Sequence, residues 1–188
     1  FGAGIQMLEK ALLEYFPNVD LVRMDRDTTQ QRGSHVAHLR RFAESKRAIL
    51  LGTQMIAHGH DFPAVGLVGI VAADTALSIP DFRASERTFE LITQMVGRGG
   101  RDDTVARGLI QTYQPEHPAL VFGAAQNYQG FYEQEIPLRR ELKYPPFWRL
   151  ARLVISGSSE HWVQKTAQDT HDRLVGPVER QLQGVILG

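Results

Sequence analysis

The run Val65–Ala72 is almost wholly apolar. A strand with one wet face alternates apolar and polar residues, whereas a strand covered on both faces reads as a continuous apolar stretch, the mark of a parallel sheet between helices. The flanking sequence supports that arrangement. Ile5, Leu8, Leu12 and Phe16 fall at helical spacing, and Pro17-Asn18 ends the run. Val19–Met24 predicts a short buried strand, and Asp25-Arg26-Asp27-Thr28-Thr29 a polar loop in which Asp27 or Thr28 can cap the next helix. Val36, Leu39, Arg40 and Ala43 mark that helix, and Ala48–Leu51 a second strand. Thr53–Pro63 is a long loop carrying His58 and His60, Asp74–Phe82 a loop with Pro80, Phe82–Val96 a helix and Leu109–Thr112 another strand. Strands alternating with helices predict an α/β fold with a parallel sheet. In such sheets ligands bind beyond the carboxyl ends of the strands, where the Thr53 and Asp74 loops lie.

The character changes after Thr112. Pro115 and Pro118 bracket a turn, Leu120–Tyr132 predicts a helix, and Glu133–Lys143 continues it as a charged segment despite Pro137, with Arg139 and Arg140 on a solvated face. The stiff stretch Tyr144-Pro145-Pro146-Phe147-Trp148 marks a boundary. Beyond it, Leu150–Ile155 predicts a strand, Glu160–Leu174 a helix and Gly184–Leu187 the start of a further strand. The expected organisation is a domain over residues 1–143, helical from about 115, and part of a small α/β domain over 144–188.

Gln94-Met95-Val96-Gly97-Arg98-Gly99-Gly100-Arg101 carries the strongest chemical signal. A guanidinium fork binds phosphate bidentately and stays charged at any working pH. Glycine lets the backbone approach a ligand closely. Two glycine-flanked arginines behind an amphipathic run suggest a phosphate contact at the end of a helix; the plainer reading is a surface turn with two solvated arginines. Net charge is zero, so no global field announces a nucleic-acid partner, although arginine outnumbers lysine seventeen to four. The chain has no cysteine, which excludes disulfides and a cysteine zinc site within it. No apolar run approaches the roughly 20 residues of a membrane span, and the N-terminus lacks a signal-peptide pattern; a cytoplasmic location is the default expectation. A start at Phe1 and an end at Gly188, directly after Val185-Ile186-Leu187, read as cuts through a larger protein.

The order of motifs reverses the plainer reading of the arginines. Gly52-Thr53-Gln54-Met55-Ile56-Ala57-His58-Gly59-His60-Asp61-Phe62-Pro63 stands about forty residues ahead of Gln94-x-x-Gly-Arg-x-Gly-Arg. The pair resembles motifs V and VI of superfamily 2 helicases, in the second RecA-like lobe. Arg23-Met24-Asp25-Arg26-Asp27-Thr28-Thr29, Pro80-Asp81-Phe82-Arg83-Ala84-Ser85-Glu86-Arg87, Gln114-Pro115-Glu116-His117-Pro118 and Tyr144-Pro145-Pro146-Phe147 extend the match. Together they resemble the primosomal protein N′ (PriA) family, helicases that reload the replication machinery at abandoned forks. The resemblance covers roughly residues 2 to 155.

That resemblance implies a RecA-like parallel sheet flanked by helices, a P-loop NTPase helicase lobe 2, followed by the partial C-terminal α/β domain. It implies that Arg98 and Arg101 reach the ATP phosphates, Arg101 as the arginine finger, and that Gln94 positions the phosphate end or the attacking water. It implies that Gly59 and Asp61 line the nucleotide, and that Thr53, Gln54 and His58 contact the DNA backbone. Asp81, Phe82, Arg83, Glu86 and Arg87 become an ion-paired scaffold aiming the arginines. Implied cofactors are ATP with Mg²⁺, bound mainly by a first lobe, and zinc in a cysteine module upstream; implied partners are forked or branched DNA, single-strand DNA-binding protein and other primosome proteins, with no membrane.

The sequence departs from the family pattern at His58, where lysine is usual, at Asp61, where histidine is frequent, at Gly99, which replaces alanine, and at Ala72-Ala73-Asp74, which replaces a more acidic triplet. Other readings of single features are weaker. His58-Gly59-His60-Asp61 as a metal cluster lacks a further ligand set. Asp25 and Asp27 fit capping and loop hydrogen bonds better than acid–base work. Trp148 beside Arg149 and Arg152 fits domain packing better than stacking on a base. The chain contains no Gly-x-x-x-x-Gly-Lys-[Ser/Thr] phosphate loop and no Asp-Glu-x-His. It therefore holds at most half of an ATPase site and is expected to be inactive alone. The rival functions are a stand-alone anion- or nucleotide-binding module and a protein-interaction module.

Overall fold

The computed structural model describes residues 4–25, 34–53, 56, 65–97 and 107–182, with side chains through residue 178. The chain divides into two compact units, Phe1–Leu142 and Lys143–Gly188.

The first unit opens with α1 (Ile5–Tyr15), β1 (Asp20–Met24), α2 (Ser34–Glu44) and β2 (Ala48–Gly52). β1 and β2 pair in parallel, Asp20 opposite Ala48 through Met24 opposite Gly52. A parallel pair needs a crossover, and α2 is that crossover. Val22, Met24 and Leu51 are buried. α2 is tied to β1 by Arg41, whose Nε donates to Asp20 Oδ2 at 3.1 Å, and by Ser45, whose hydroxyl donates to the same oxygen at 2.9 Å. Asp25, expected to serve capping or loop hydrogen bonds, is instead buried and ion-paired: Arg23 Nε donates to its Oδ2 at 2.8 Å and Arg23 Nη1 to Glu9 of α1 at 2.9 Å. A carboxylate taken out of water requires such a partner, which is why the pair sits at the strand end against α1. Asp27 and Thr28 lie outside the described residues.

The second half of the unit contains β3 (Leu67–Ile70), α3 (Asp74–Leu77), α4 (Ala84–Val96) and β4 (Arg107–Ile110), then α5 (Pro118–Ala124) and α6 (Tyr128–Glu141). β3 and β4 also pair in parallel, Leu67 opposite Arg107 through Ile70 opposite Ile110. The described strands thus form two parallel two-stranded ladders. The expectation that Val65–Ala72 is covered on both faces is corrected. The strand is shorter, Val68 is buried, and Leu67 and Leu109 are 58% and 62% exposed. Among the described residues, one face of the ladder packs, Ile70 and Ile110 joining Val96 and Leu77 around Ala73, Ile92 and Leu120. A second cluster joins Phe89, Ala119 and Phe131 to Leu77 and Phe122; Phe89 and Phe131 stack at 4.4 Å between ring centroids.

The Asp74–Phe82 loop begins with one helical turn, α3, because Asp74 is fixed from the end of β4: Thr112 Oγ1 donates to it at 2.7 Å and Tyr113 N at 3.0 Å. The Thr112 hydroxyl above all holds the Asp74 carboxyl below the usual carboxylate range. The single helix expected over Leu120–Tyr132 is two helices. Gln126 takes a positive φ of 51°, and Asn127 accepts from Gly130 N at 2.9 Å to cap α6. A Cβ at Gly130 would come within 2.8 Å of Phe122 Cδ1, so a larger residue there forces the Phe122 ring to shift. α6 runs on through Pro137 as the sequence suggested.

His117 caps α5, its Nδ1 accepting from Ala119 N at 3.2 Å, with Pro118 at the first helical position. Burial is the largest influence on its imidazole and lowers its pKa, against the opposing pull of Glu135 and Asp74. Only the neutral ring accepts that bond. Because the folded-state pKa is depressed, the unfolded chain takes up its proton first as pH falls. Stability is therefore expected to decline as pH drops below about 6.5, the ordinary histidine value. Thermal melts between pH 7 and 5.5 should show the decline, and His117→Asn, which caps without titrating, should flatten it; an unchanged slope in the variant would refute the assignment.

In the second unit, the Tyr144 carbonyl accepts from Phe147 N at 3.2 Å and Trp148 N at 3.3 Å, and the Lys143 ammonium sits 5.1 Å from the centre of the Trp148 ring. The strand expected over Leu150–Ile155 is absent: these residues carry no ladder, and Leu153 and Val154 are largely exposed. An apolar run becomes a strand only where a neighbour takes its N–H and C=O groups, and no strand pairs with it among the described residues of this unit. α7 (Glu160–Leu182) exceeds the expected Glu160–Leu174 and continues through Pro177. Gly184–Leu187 lies outside the described residues. No described helix is long and apolar enough to cross a membrane.

Candidate functional site

α4 is the element that delivers the glycine–arginine stretch. The turn leading into it is set by Asp81, whose Oδ1 accepts from Arg83 N at 2.9 Å and whose carbonyl accepts from Ala84 N at 2.9 Å. Arg87, one turn into the helix, pairs with Asp81 at 2.9 Å. The Arg83 N–H first, and then the Arg87 and Arg83 charges, hold the Asp81 carboxyl below its usual range. A carboxylate at this end also meets the positive pole of the helix. The buried face carries Ala84, Thr88, Phe89 and Ile92, a helical spacing of i, i+4, i+5, i+8. Gln94 lies on the exposed side, in the last turn. Gly97 closes the helix, its N–H donating to Thr93 O at 3.0 Å. A Cβ at Gly97 would lie 3.2 Å from Gln126 Nε2, so the α5–α6 connection stands against the end of α4.

The far end of the scaffold is the residue that sequence reasoning misplaced. Arg139, read as part of a solvated face, has a side chain only 12% exposed. Its Nη2 donates to Glu86 Oε2 at 2.6 Å and its Nε to Glu135 Oε1 at 2.9 Å. Its guanidinium lies 5.4 Å from the centre of the Phe82 ring, and that of Arg83 5.0 Å from it. Burial works against the Arg139 charge, and the Glu86 and Glu135 carboxylates more than offset it, raising its pKa. The basic run Arg139-Arg140 gave no hint which of the two turns inward; Glu135, four residues earlier on the helix, was the available signal. Asp81, Phe82, Arg83, Glu86 and Arg87 do form a charged and aromatic network, and it extends to α6 through Arg139.

Thr53 follows β2 and is exposed, its carbonyl accepting from Ile56 N at 3.1 Å. Gly52, immediately before it, is required by close approach: a Cβ there would run into the Met24 carbonyl of the facing strand and lie 2.8 Å from Ile56 Cγ2. The structure therefore holds the start of the Thr53 segment tight against the carboxyl end of β1. Gln54, His58, Gly59, Asp61, Arg98 and Arg101 lie outside the described residues, as does the His60 of the weaker metal reading.

Comparison with known proteins bears on what these elements belong to. The profile described as "helicase conserved C-terminal domain" matches residues 1–103. The replication restart protein PriA of Bacillus subtilis is 47% identical over 156 residues, 83% of this chain and 19% of that protein. The protein of the same name from Chlamydia muridarum is 43% identical over 180 residues, 96% of this chain and 24% of that protein. That from Treponema pallidum is 41% identical over 171 residues, 90% of this chain and 26% of that protein. The chain spans about a fifth to a quarter of the length of these relatives.

Proposed function

The chain belongs to the helicase conserved C-terminal domain family, and on that premise we propose that it works as the second RecA-like lobe of an ATP-dependent DNA helicase of the PriA type, acting in replication restart. The observation that carries the proposal is the placement of Gln94 on the open side of a helix whose opposite side is locked in the core, directly before Gly97-Arg98 and Arg101. A helix anchored along one face through its last turn, with Gln94 on the open side, is the rigid mount that a phosphate-binding arginine pair needs. Arg101 is the arginine finger, Arg98 a second phosphate contact, and Gln94 positions the phosphate end or the attacking water. Gly59 and Asp61 line the nucleotide. ATP with Mg²⁺ is held mainly by a first lobe supplied elsewhere in the full-length protein, together with a cysteine zinc module. Residues 1–143 act as the lobe, and 144–188 form part of a separate C-terminal domain. Single-strand DNA-binding protein and other primosome proteins are proposed partners, to be sought by pull-down.

On the DNA side, Thr53, Gln54 and His58 contact the phosphate backbone. Such contacts position the duplex or strand without reading its sequence. A hydroxyl donating to a charged phosphate contributes about 1.5–3 kcal/mol. Thr53→Ala in the full-length protein is therefore expected to raise the concentration of forked DNA needed for half-maximal ATPase stimulation by about tenfold. An unchanged half-maximal concentration would remove Thr53 from the DNA interface.

A further inference from the structure

We propose that Tyr113 is a stacking platform for a nucleobase, the planar group that a DNA strand and ATP both carry. The inference deepens the helicase reading above and rests on it; its own basis is the geometry at the carboxyl end of β4. The Tyr113 side chain is 91% exposed, more than any other large hydrophobic side chain among the described residues. Its backbone, in contrast, is fixed. Tyr113 N donates to Asp74 Oδ2 at 3.0 Å, Thr112 Oγ1 to Asp74 Oδ1 at 2.7 Å, and Gln114 N to Thr112 Oγ1 at 2.9 Å. Just before them, Gln111 N donates to Ile70 O at 2.8 Å and Gln111 O accepts from Ala73 N at 3.1 Å. A tyrosine ring on a fixed backbone has two side-chain torsions left to lose, so stacking on it costs little conformational entropy.

The bond to Asp74 uses the Tyr113 N–H, which every residue but proline supplies, so it does not call for tyrosine at this position. Isolated exposed apolar residues are ordinary on a protein surface, and Tyr15, 78% exposed at the last position of α1, is one of them. Two observations set Tyr113 apart. It stands at the carboxyl edge of a parallel ladder, the edge at which such sheets take ligands. The end of the paired strand is also strained: Ala72 takes a positive φ of 53°, a costly conformation for a residue with a Cβ. Backbone of this kind persists only where its surroundings over-determine it, and it clusters at ligand-binding sites. Here Gln111 contributes that constraint, its Oε1 accepting from Ala72 N at 3.2 Å. Stacking on an aromatic face tolerates any base, which suits a helicase working on DNA of any sequence.

The test compares the full-length protein with its Tyr113→Ala, Tyr113→Leu and Tyr113→Phe variants. Fluorescence anisotropy gives the Kd for a fluorescein-labelled single-stranded oligothymidylate and for an abasic strand of the same length. Steady-state ATPase at saturating DNA gives KM for ATP. Tyr113→Ala is expected to weaken one of the two interactions by about tenfold. The oligothymidylate Kd rises, with the abasic Kd unchanged, where the stacked base belongs to DNA; KM for ATP rises where it is adenine. Tyr113→Leu, apolar but without a π face, is expected to match Tyr113→Ala, and Tyr113→Phe to stay within about twofold of wild type. The side chain stands in water, so all three variants are expected to melt with the wild type. If Tyr113→Ala leaves both the oligothymidylate Kd and KM for ATP at wild-type values, or Tyr113→Leu binds as well as Tyr113→Phe, the inference is overturned. The helicase reading fails by a different result, wild-type protein without DNA-stimulated ATP hydrolysis.

Discussion

Arg101→Ala in the full-length protein is expected to cut ATP turnover by about 10³-fold or more while leaving ATP binding within a few-fold of wild type. An arginine finger acts on charge that develops as the γ-phosphoryl group transfers. The interaction is stronger in the transition state than with bound ATP, so its loss falls on kcat. Arg101→Lys should recover little, because an ammonium cannot reproduce the planar fork. The measurement is steady-state ATPase with and without forked DNA, beside nucleotide binding by fluorescence. Wild-type turnover by Arg101→Ala would return the glycine–arginine stretch to a solvated surface turn.

Much of this architecture was legible in the chain because its information is local. Ile5–Leu12 periodicity, the Pro17-Asn18 stop and the Ala48–Leu51 run were close to α1 and β2 as observed. The parallel pairing followed from the alternation of strand and helix, with no need for long-range detail. The failures have a common physical origin in partners distant along the chain. Leu150–Ile155 has the composition of a strand, but composition cannot supply the neighbour that takes its backbone hydrogen bonds. Val65–Ala72 reads as covered on both faces, yet the described packing against Ile92 and Val96 covers one. The break at Gln126 depends on one non-glycine residue adopting positive φ, which a glutamine in a helical run does not announce.

The site was legible to a different depth. The motif order identified the family and singled out Gln94, Thr53 and the acidic and basic residues around Asp81. It could not indicate that Glu86 is answered by Arg139, 53 positions away. A charged side chain looks the same in sequence whether it is solvated or clamped between two carboxylates, and only tertiary structure separates the two. Asp25 illustrates the same limit, since its burial against Arg23 and α1 is invisible in a polar loop sequence.

The central claim is that these 188 residues hold one half of an ATPase site. Phosphoryl transfer needs a cradle for the β- and γ-phosphates, a carboxylate-held Mg²⁺ and a group that stabilises the transferring charge. The chain contains neither the phosphate loop nor the Asp-Glu-x-His that would supply the first two, and it contains the candidate for the third. An arginine alone, without the metal and the cradle, leaves the reaction close to its uncatalysed rate. The direct measurement is ATP hydrolysis, with and without forked DNA, by the purified chain and by the full-length protein at equal molar concentration. The full-length protein is expected to show DNA-stimulated turnover and the chain none above background. Robust DNA-stimulated hydrolysis by the chain alone would contradict the claim.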